Sequence, residues 1–188
     1  MEDKERLVLK LIAGLLDYPG HQEFWVRVRD RGPLAEEVDT RIGAVFHMLA
    51  HFKPLELEKL YVAAFDFDPK GSLYVTAHEL GDSHDRGQAL IELTTVYQQA
   101  GYEVPDDQLA DYLPMLLDFM AVHPDLGKPL AKRVSLVASQ IAEHLGPKHP
   151  YSPLFDVISQ TLGQQNVPRV LSAEERPDLS DLPYPIEY

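Results

Sequence analysis

Cysteine is absent from this 188-residue chain, which excludes disulfides, zinc-thiolate sites, iron-sulfur ligation and cysteine nucleophiles and suits a reducing cytoplasm. Basic residues are scarce: 17 Lys and Arg stand against 30 Asp and Glu, a formal charge of -13. Such a balance repels phosphate backbones and anionic lipid and attracts basic peptides, so nucleic acid is excluded as a partner. No apolar run is long enough to span a bilayer, so no membrane insertion is expected. The first residues, Met1-Glu2-Asp3-Lys4-Glu5-Arg6, and the interruptions at Lys10 and Asp17 are unlike a secretory leader. A protein that stays in the cytoplasm is the expectation. Strand signals are nearly missing as well, Leu73-Tyr74-Val75-Thr76 being the one β-leaning run, with no evident partner.

What remains is helical spacing. Leu7, Leu11 and Leu15, flanked by Val8, Ile12 and Leu16, predict a first helix that stops at Pro19-Gly20. A short helix is expected over Gln22 to Arg29, a third carrying Leu34, Val38, Ile42, Val45, Leu49 and Phe52, and a fourth with Leu57, Leu60, Tyr61, Ala64 and Phe65. Asp66 to Gly71 reads as a tight connection, with Ser72 capping a short helix that runs to Leu80. Asp82 or Ser83 caps the next helix, whose inner face is Ala89, Leu90, Leu93, Tyr97 and Ala100 and whose end is Gly101. Asp111 caps another, where Pro114 falls in the tolerant first turn. Leu130, Val134, Val137, Ile141 and Leu145 mark a further helix, and Ser152-Pro153 opens the last. With 45% apolar residues the chain builds one core. The expected fold is an all-α, single-domain bundle of about eight or nine helices over 1-163, followed by an extended or disordered tail, 164-188.

Several motifs suggest metal chemistry and fall short of it. Asp66, Asp68 and Gly71 imitate the start of a calcium loop, but the later ligand positions hold Lys70 and Ala77. His47 and His51 share a helix face without the glutamate of a zinc-protease helix, and His78-Glu79 is followed at the second histidine position by Asp82. Consecutive Ser83-His84-Asp85 is not a catalytic triad, which needs groups converging from separate elements. His84-Asp85 also resembles the metal-binding pair of all-helical HD-domain phosphohydrolases, with His51 or His78 and Asp111 or Asp118 as further ligands. Placed at a charged helix start, the pair reads more simply as surface. No metal, cofactor or catalytic residue is expected.

The order of several other pieces is more specific. Tyr61-Val62-Ala63-Ala64-Phe65-Asp66, Ser72-Leu73-Tyr74, Asp82-Ser83-His84-Asp85-Arg86-Gly87-Gln88-Ala89, Gly101, Asp111-Tyr112-Leu113-Pro114 and Tyr151-Ser152-Pro153-Leu154-Phe155-Asp156 together resemble the NarJ-type chaperones that assemble respiratory nitrate reductase, within the wider TorD/DmsD group. That resemblance implies an all-α chaperone, not an enzyme. It would bind the apo catalytic subunit of nitrate reductase through its N-terminal segment and keep it competent for molybdenum cofactor insertion. A signal-peptide proofreading chaperone for an exported molybdoenzyme is the nearest alternative, and the HD-type phosphohydrolase the distant one.

An acidic helical protein with an apolar cleft suits an amphipathic basic helix. The candidate groove wall is Phe65, Phe67, Tyr74, Tyr97, Leu113 and Leu116. The candidate rim is Asp66, Asp82, Asp85 and Asp111, with Arg86 orienting it by ion pairing. The protein is expected to act as a monomer or weak dimer.

Overall fold

The computed structural model describes residues 1–105 and 108–163, and among these every regular element is a helix. At the centre lies α1 (Asp3–Leu15), packed against several of the helices that follow it. Its stripe at Val8, Leu11, Ile12 and Leu15 faces inward, as the helical period predicts. The strongest partner is α7 (Leu113–Val122), apolar on nearly every side, with Leu113, Leu116, Leu117, Phe119 and Ala121 all buried. A helix of that kind is stable only when other elements enclose it.

α2 (Gln22–Val38) and α3 (Thr40–Leu49) form a hairpin joined through Asp39, whose side chain caps α3 by accepting from the Arg41 backbone N–H at 2.9 Å. The sequence predicts a helix over Gln22 to Arg29 and a separate one carrying Leu34 to Phe52, yet α2 continues through Gly32-Pro33 to Val38 and the break falls at Asp39, with Phe52 beyond the end of α3. An interior proline costs an isolated helix about 3 kcal/mol. Phe24, Val28, Gly32 and Ala35 nevertheless keep one inward stripe across it, and their burial offsets that cost. The hairpin is tight: a Cβ on Gly43 would sit 2.6 Å from the Glu36 Cα.

α4 (Pro54–Phe65) leads through a loop to α5 (Val75–Leu80) and α6 (His84–Gln99), which buries only Leu93 and Tyr97. Ala89, Leu90 and Ala100, also expected on its inner face, are half-buried. After α7 come a single helical turn, α8 (Pro124–Gly127), and a 3-10 turn, neither visible in the periodicity. α9 (Ala131–Leu145) and α10 (Ser152–Gly163) close the bundle as a second hairpin. Nine helices of six residues or more are thus present among the described residues, in line with the expected all-α bundle. The expected tail, 164-188, lies outside the described residues.

Rings join α4 to the start of α10: Tyr61 and Phe65, both on α4, are 4.9 Å apart, and Phe65 meets Tyr151, just before α10, at 5.3 Å and Phe155, on α10, at 5.9 Å between centroids. Such edge-on and tilted pairs add to the area they bury.

Candidate functional site

The β-leaning run at 73–76 does find a partner. Val75 donates its N–H to the Asp111 carbonyl at 3.0 Å and Leu113 donates to the Leu73 carbonyl at 2.7 Å, which sets Tyr74 opposite Tyr112 in an isolated antiparallel bridge. Beneath it, Asp111 is fully buried. Its Oδ2 accepts from the Thr76 N–H at 3.1 Å and the Thr76 hydroxyl at 2.5 Å, and the Arg86 Nη2 stands 3.8 Å away. Arg86 Nε also donates to Thr76 Oγ1 at 3.2 Å. Asp111 is therefore neither a rim carboxylate nor a helix cap. The α7 cap position belongs to Tyr112, and the Asp111 carboxylate ties α5, α6 and the start of α7 together. The cap expected at Ser72 is likewise absent, since α5 starts after Tyr74, whose N–H donates to Ser72 Oγ; of the two residues expected to cap α6, Ser83 holds the cap position, without a side-chain cap bond, and Asp82 does not.

Above this clamp a corner of tyrosines and carboxylates meets solvent. Tyr61 donates its hydroxyl to the Leu16 carbonyl at 2.9 Å and lies 3.1 Å from the Tyr112 hydroxyl. Tyr112 packs on Tyr74 at 5.5 Å, and Tyr18 meets Tyr61 edge-on at 5.5 Å while donating to Glu58 at 3.3 Å. Burial pushes the Tyr112 hydroxyl up to about 12, with Asp17, Tyr74 and Asp66 adding to the shift. Burial likewise raises Tyr74, next to Asp111 and Asp66, with Arg86 opposing. Partial burial also raises the Asp66 carboxyl above the ordinary aspartate value. Asp66, Arg86 and Asp111, distant in sequence, thus all lie near enough to Tyr74 to influence its hydroxyl.

The remaining sequence-predicted residues separate by burial. Phe65, Tyr97, Leu113 and Leu116 are core, at most 4% exposed, and offer no wall to a partner in this conformation. Phe65 fills the ring stack on α10, and Tyr97 donates its hydroxyl to the Ala110 carbonyl at 2.8 Å. Phe67 is the opposite, 83% exposed on the α4–α5 loop. That loop is pinned from two sides: His144 Nε2 lies 2.8 Å from Asp68, and His78 Nε2 lies 2.7 Å from the Ser72 carbonyl. Gly71 is buried with no room for a side chain, since a Cβ would meet the Ala64 carbonyl oxygen. Asp82 and Asp85 are exposed and make no ion pair among the described residues.

The metal readings dissolve in the same geometry. Asp68 accepts from the Lys70 N–H and faces His144, His51 bonds the His47 carbonyl, and Asp118 accepts from Tyr102. No group of three potential metal ligands forms among the described residues.

Sequence reasoning did not single out Asp17, Tyr18, Glu58 or Tyr112 as site residues. Tyr112 sits inside the Asp111-to-Pro114 motif and was accessible there, whereas Tyr18, in the turn after α1, meets Glu58 of α4 only through a long-range hydrogen bond. Next to them, Asp17 and Tyr112 border a cleft of about 430 Å³ that also has Ala13, Arg27, Gln108, Pro114 and Met115 on its walls. Arg27 bonds Asp17 through Nη2 at 2.5 Å, while its Nε and the Gln108 Oε1 are buried without a partner among the described residues. The walls also carry Lys10, Arg31, Glu103 and Asp118, so the cleft is of mixed polarity, and the open donor and acceptor suit a peptide backbone.

A family model described as nitrate reductase delta subunit matches residues 32–155. The chain is 29% identical over 180 residues to the probable nitrate reductase molybdenum cofactor assembly chaperone NarW of Escherichia coli K12, spanning 91% of this chain and 76% of that protein. It is 27% identical over 161 residues to the nitrate reductase molybdenum cofactor assembly chaperone NarJ of the same organism, spanning 80% and 67%. A probable NarJ of Bacillus subtilis is 31% identical over 121 residues, spanning 62% and 65%. The crystal structure of a putative redox enzyme maturation protein from Archaeoglobus fulgidus has the same fold, with a TM-score of 0.67, 19% identity and coverage of 85% of this chain and 94% of that one. These relatives are named for assembly and maturation, not catalysis. The matched residues 32–155 contain both the clamp and the exposed loop, and the chain belongs to the nitrate reductase delta subunit family, among the NarJ-type chaperones.

Proposed function

We propose that this protein is a dedicated chaperone of a nitrate reductase, binding the apo catalytic subunit through a basic amphipathic segment at its N-terminus until molybdenum cofactor is inserted. It acts in the cytoplasm, as a monomer or weak dimer. The names of its relatives support the client, and the charge of -13 supports a basic segment.

The observation that carries the binding site is Phe67, a large apolar side chain 83% exposed on a pinned loop beside the Asp66 carboxylate and the tyrosine corner. The apolar face of the segment packs on Phe67 and Tyr74 and reaches toward Pro114 and Met115 in the adjoining cleft. Its Lys or Arg residues meet Asp66 and Glu58 and lie over the tyrosine rings, where a cation is attracted to the ring face. Asp82 and Asp85 form a more distant acidic edge. Arg86 acts indirectly, holding Thr76 and thereby the Tyr74 strand.

The test is titration calorimetry of the full chain against a peptide of about fifteen residues from the N-terminus of the nitrate reductase catalytic subunit, at two salt concentrations. One-to-one binding at about micromolar Kd, weakening with salt, is expected. No binding, confirmed by a second method, overturns this reading.

A further inference from the structure

On the far side of the α2–α3 hairpin lies a groove of about 590 Å³ that neither the clamp nor the corner uses. Trp25, Val26, Pro33 and Phe46 give it an apolar floor and walls. Trp25 is pinned, its Nε1 donating to the Pro19 carbonyl at 2.9 Å, so the indole needs no polar partner from a ligand. The charged or titratable lining residues are Arg29 and His47, which face Asp30 and Glu36 just outside the groove at 3.3 Å each, and no carboxylate lines the groove itself. In a chain with 30 acidic residues against 17 basic ones, a lining without a carboxylate gives the basic segment proposed for the corner no partner and suits an apolar occupant free of Lys and Arg.

The chain supplies one. Residues 177–188, outside the described residues, contain Asp178, Asp181 and Glu187 and no Lys or Arg. They also place Leu182, Tyr184 and Ile186 around Pro183 and Pro185. As a class, sequences that alternate proline with apolar residues suit aromatic grooves, because proline limits the freedom lost on docking. The connection is short enough. Gln160, near the end of α10, accepts from Arg41 Nη1 at 2.8 Å, so α10 finishes beside the start of α3. Ala50, at the far end of the groove, is about 14 Å along α3 from Arg41 at the helical rise. Residues 164–176 can span up to about 45 Å.

We propose that the Pro177–Tyr188 segment docks on the α2–α3 groove of its own chain, with Leu182 and Tyr184 against Trp25 and its carboxylates toward Arg29. Tethering sets an effective concentration on the order of 1 mM, so a contact with a Kd of about 0.1 mM leaves the docked form about tenfold favoured.

Trp25 is the sole tryptophan of the chain and lies in the groove, so its emission reports the contact directly. The experiment compares acrylamide quenching of Trp25 in the full chain and in a full-length L182S/Y184S variant, with circular dichroism confirming equal helicity. A second variant, Ala50→Glu, alters the exposed groove rim and leaves the tail intact. Both variants are expected to shift Trp25 emission to longer wavelength and to quench more steeply, and a synthetic 177–188 peptide should reverse the first but not the second. Identical quenching in all three proteins overturns the proposal. So does a wild-type signal that changes with protein concentration, since docking would then join two copies.

Discussion

The clamp beneath the tyrosine corner and the loop beside it both adjoin Tyr74, yet they differ in almost every physical respect. Asp111 and Thr76 have no solvent exposure, and their hydrogen bonds join three elements. Phe67 is 83% exposed and Asp66 keeps a carboxylate in contact with water. Both regions came from the same short motifs. Their difference teaches that a cluster of acidic and aromatic residues in sequence mixes groups that hold the fold with groups that meet a partner. Burial separates the two roles.

The sharpest way to break the comparison is to remove the clamp. Asp111→Ala strips two hydrogen-bond acceptances and leaves Arg86 without its carboxylate, and should lower stability by about 3 kcal/mol in urea unfolding. A loss below about 1 kcal/mol would mean that Asp111 does not anchor the bridge. Gly71→Ala tests the coupling of the two regions, because its Cβ would collide with the Ala64 carbonyl at the base of the loop. About 2 kcal/mol of destabilisation together with weakened peptide binding is expected.

Phe67→Ala should do the reverse of the clamp variant. Stability should change by less than about 0.5 kcal/mol, while peptide affinity falls about tenfold. Unchanged affinity would remove Phe67 from the site. Asp66→Asn should weaken binding by about threefold and flatten its pH dependence. Burial raises the Asp66 carboxyl in the folded protein, so the folded chain holds this proton to higher pH than the unfolded chain. The stability linked to it is full below the unfolded value and is lost as pH rises through the raised one. Binding runs the other way, since the ionised form attracts the peptide. Wild-type affinity should therefore fall on acidification, beginning above the ordinary aspartate range, and the Asn variant should not share that component. Asp85→Lys should give the smallest effect, within about threefold and vanishing at high salt.

Much of the fold was legible because local rules and packing agree. α1 ends before Pro19-Gly20, α4 at Phe65, α6 before Gly101 and α9 at Gly146, where the periodic stripes and glycine signals placed them. They disagree at Gly32-Pro33, where local propensity predicts a break and the continuous inward face of α2 overrides it. The site was only half legible. Asp66, Phe67 and Tyr74 carry exposed or half-exposed chemistry, whereas Asp111 has the sequence signature of a helix cap and gains its role from the pairing of 73–75 with 111–113. Long-range pairing of single residues leaves no period to read. Tyr18 and Glu58 illustrate the same gap, being 40 positions apart and joined by one hydrogen bond.

The most direct test of the account is photo-crosslinking of the nitrate reductase N-terminal peptide, carrying a photoreactive phenylalanine analogue on its apolar face, to the full chain, followed by mass spectrometry of the adducts. Crosslinks at Phe67, Tyr74, Tyr112 and Met115, suppressed by high salt, are the predicted result. Crosslinks concentrated instead on Trp25, Val26 and Phe46 of the α2–α3 groove would contradict it.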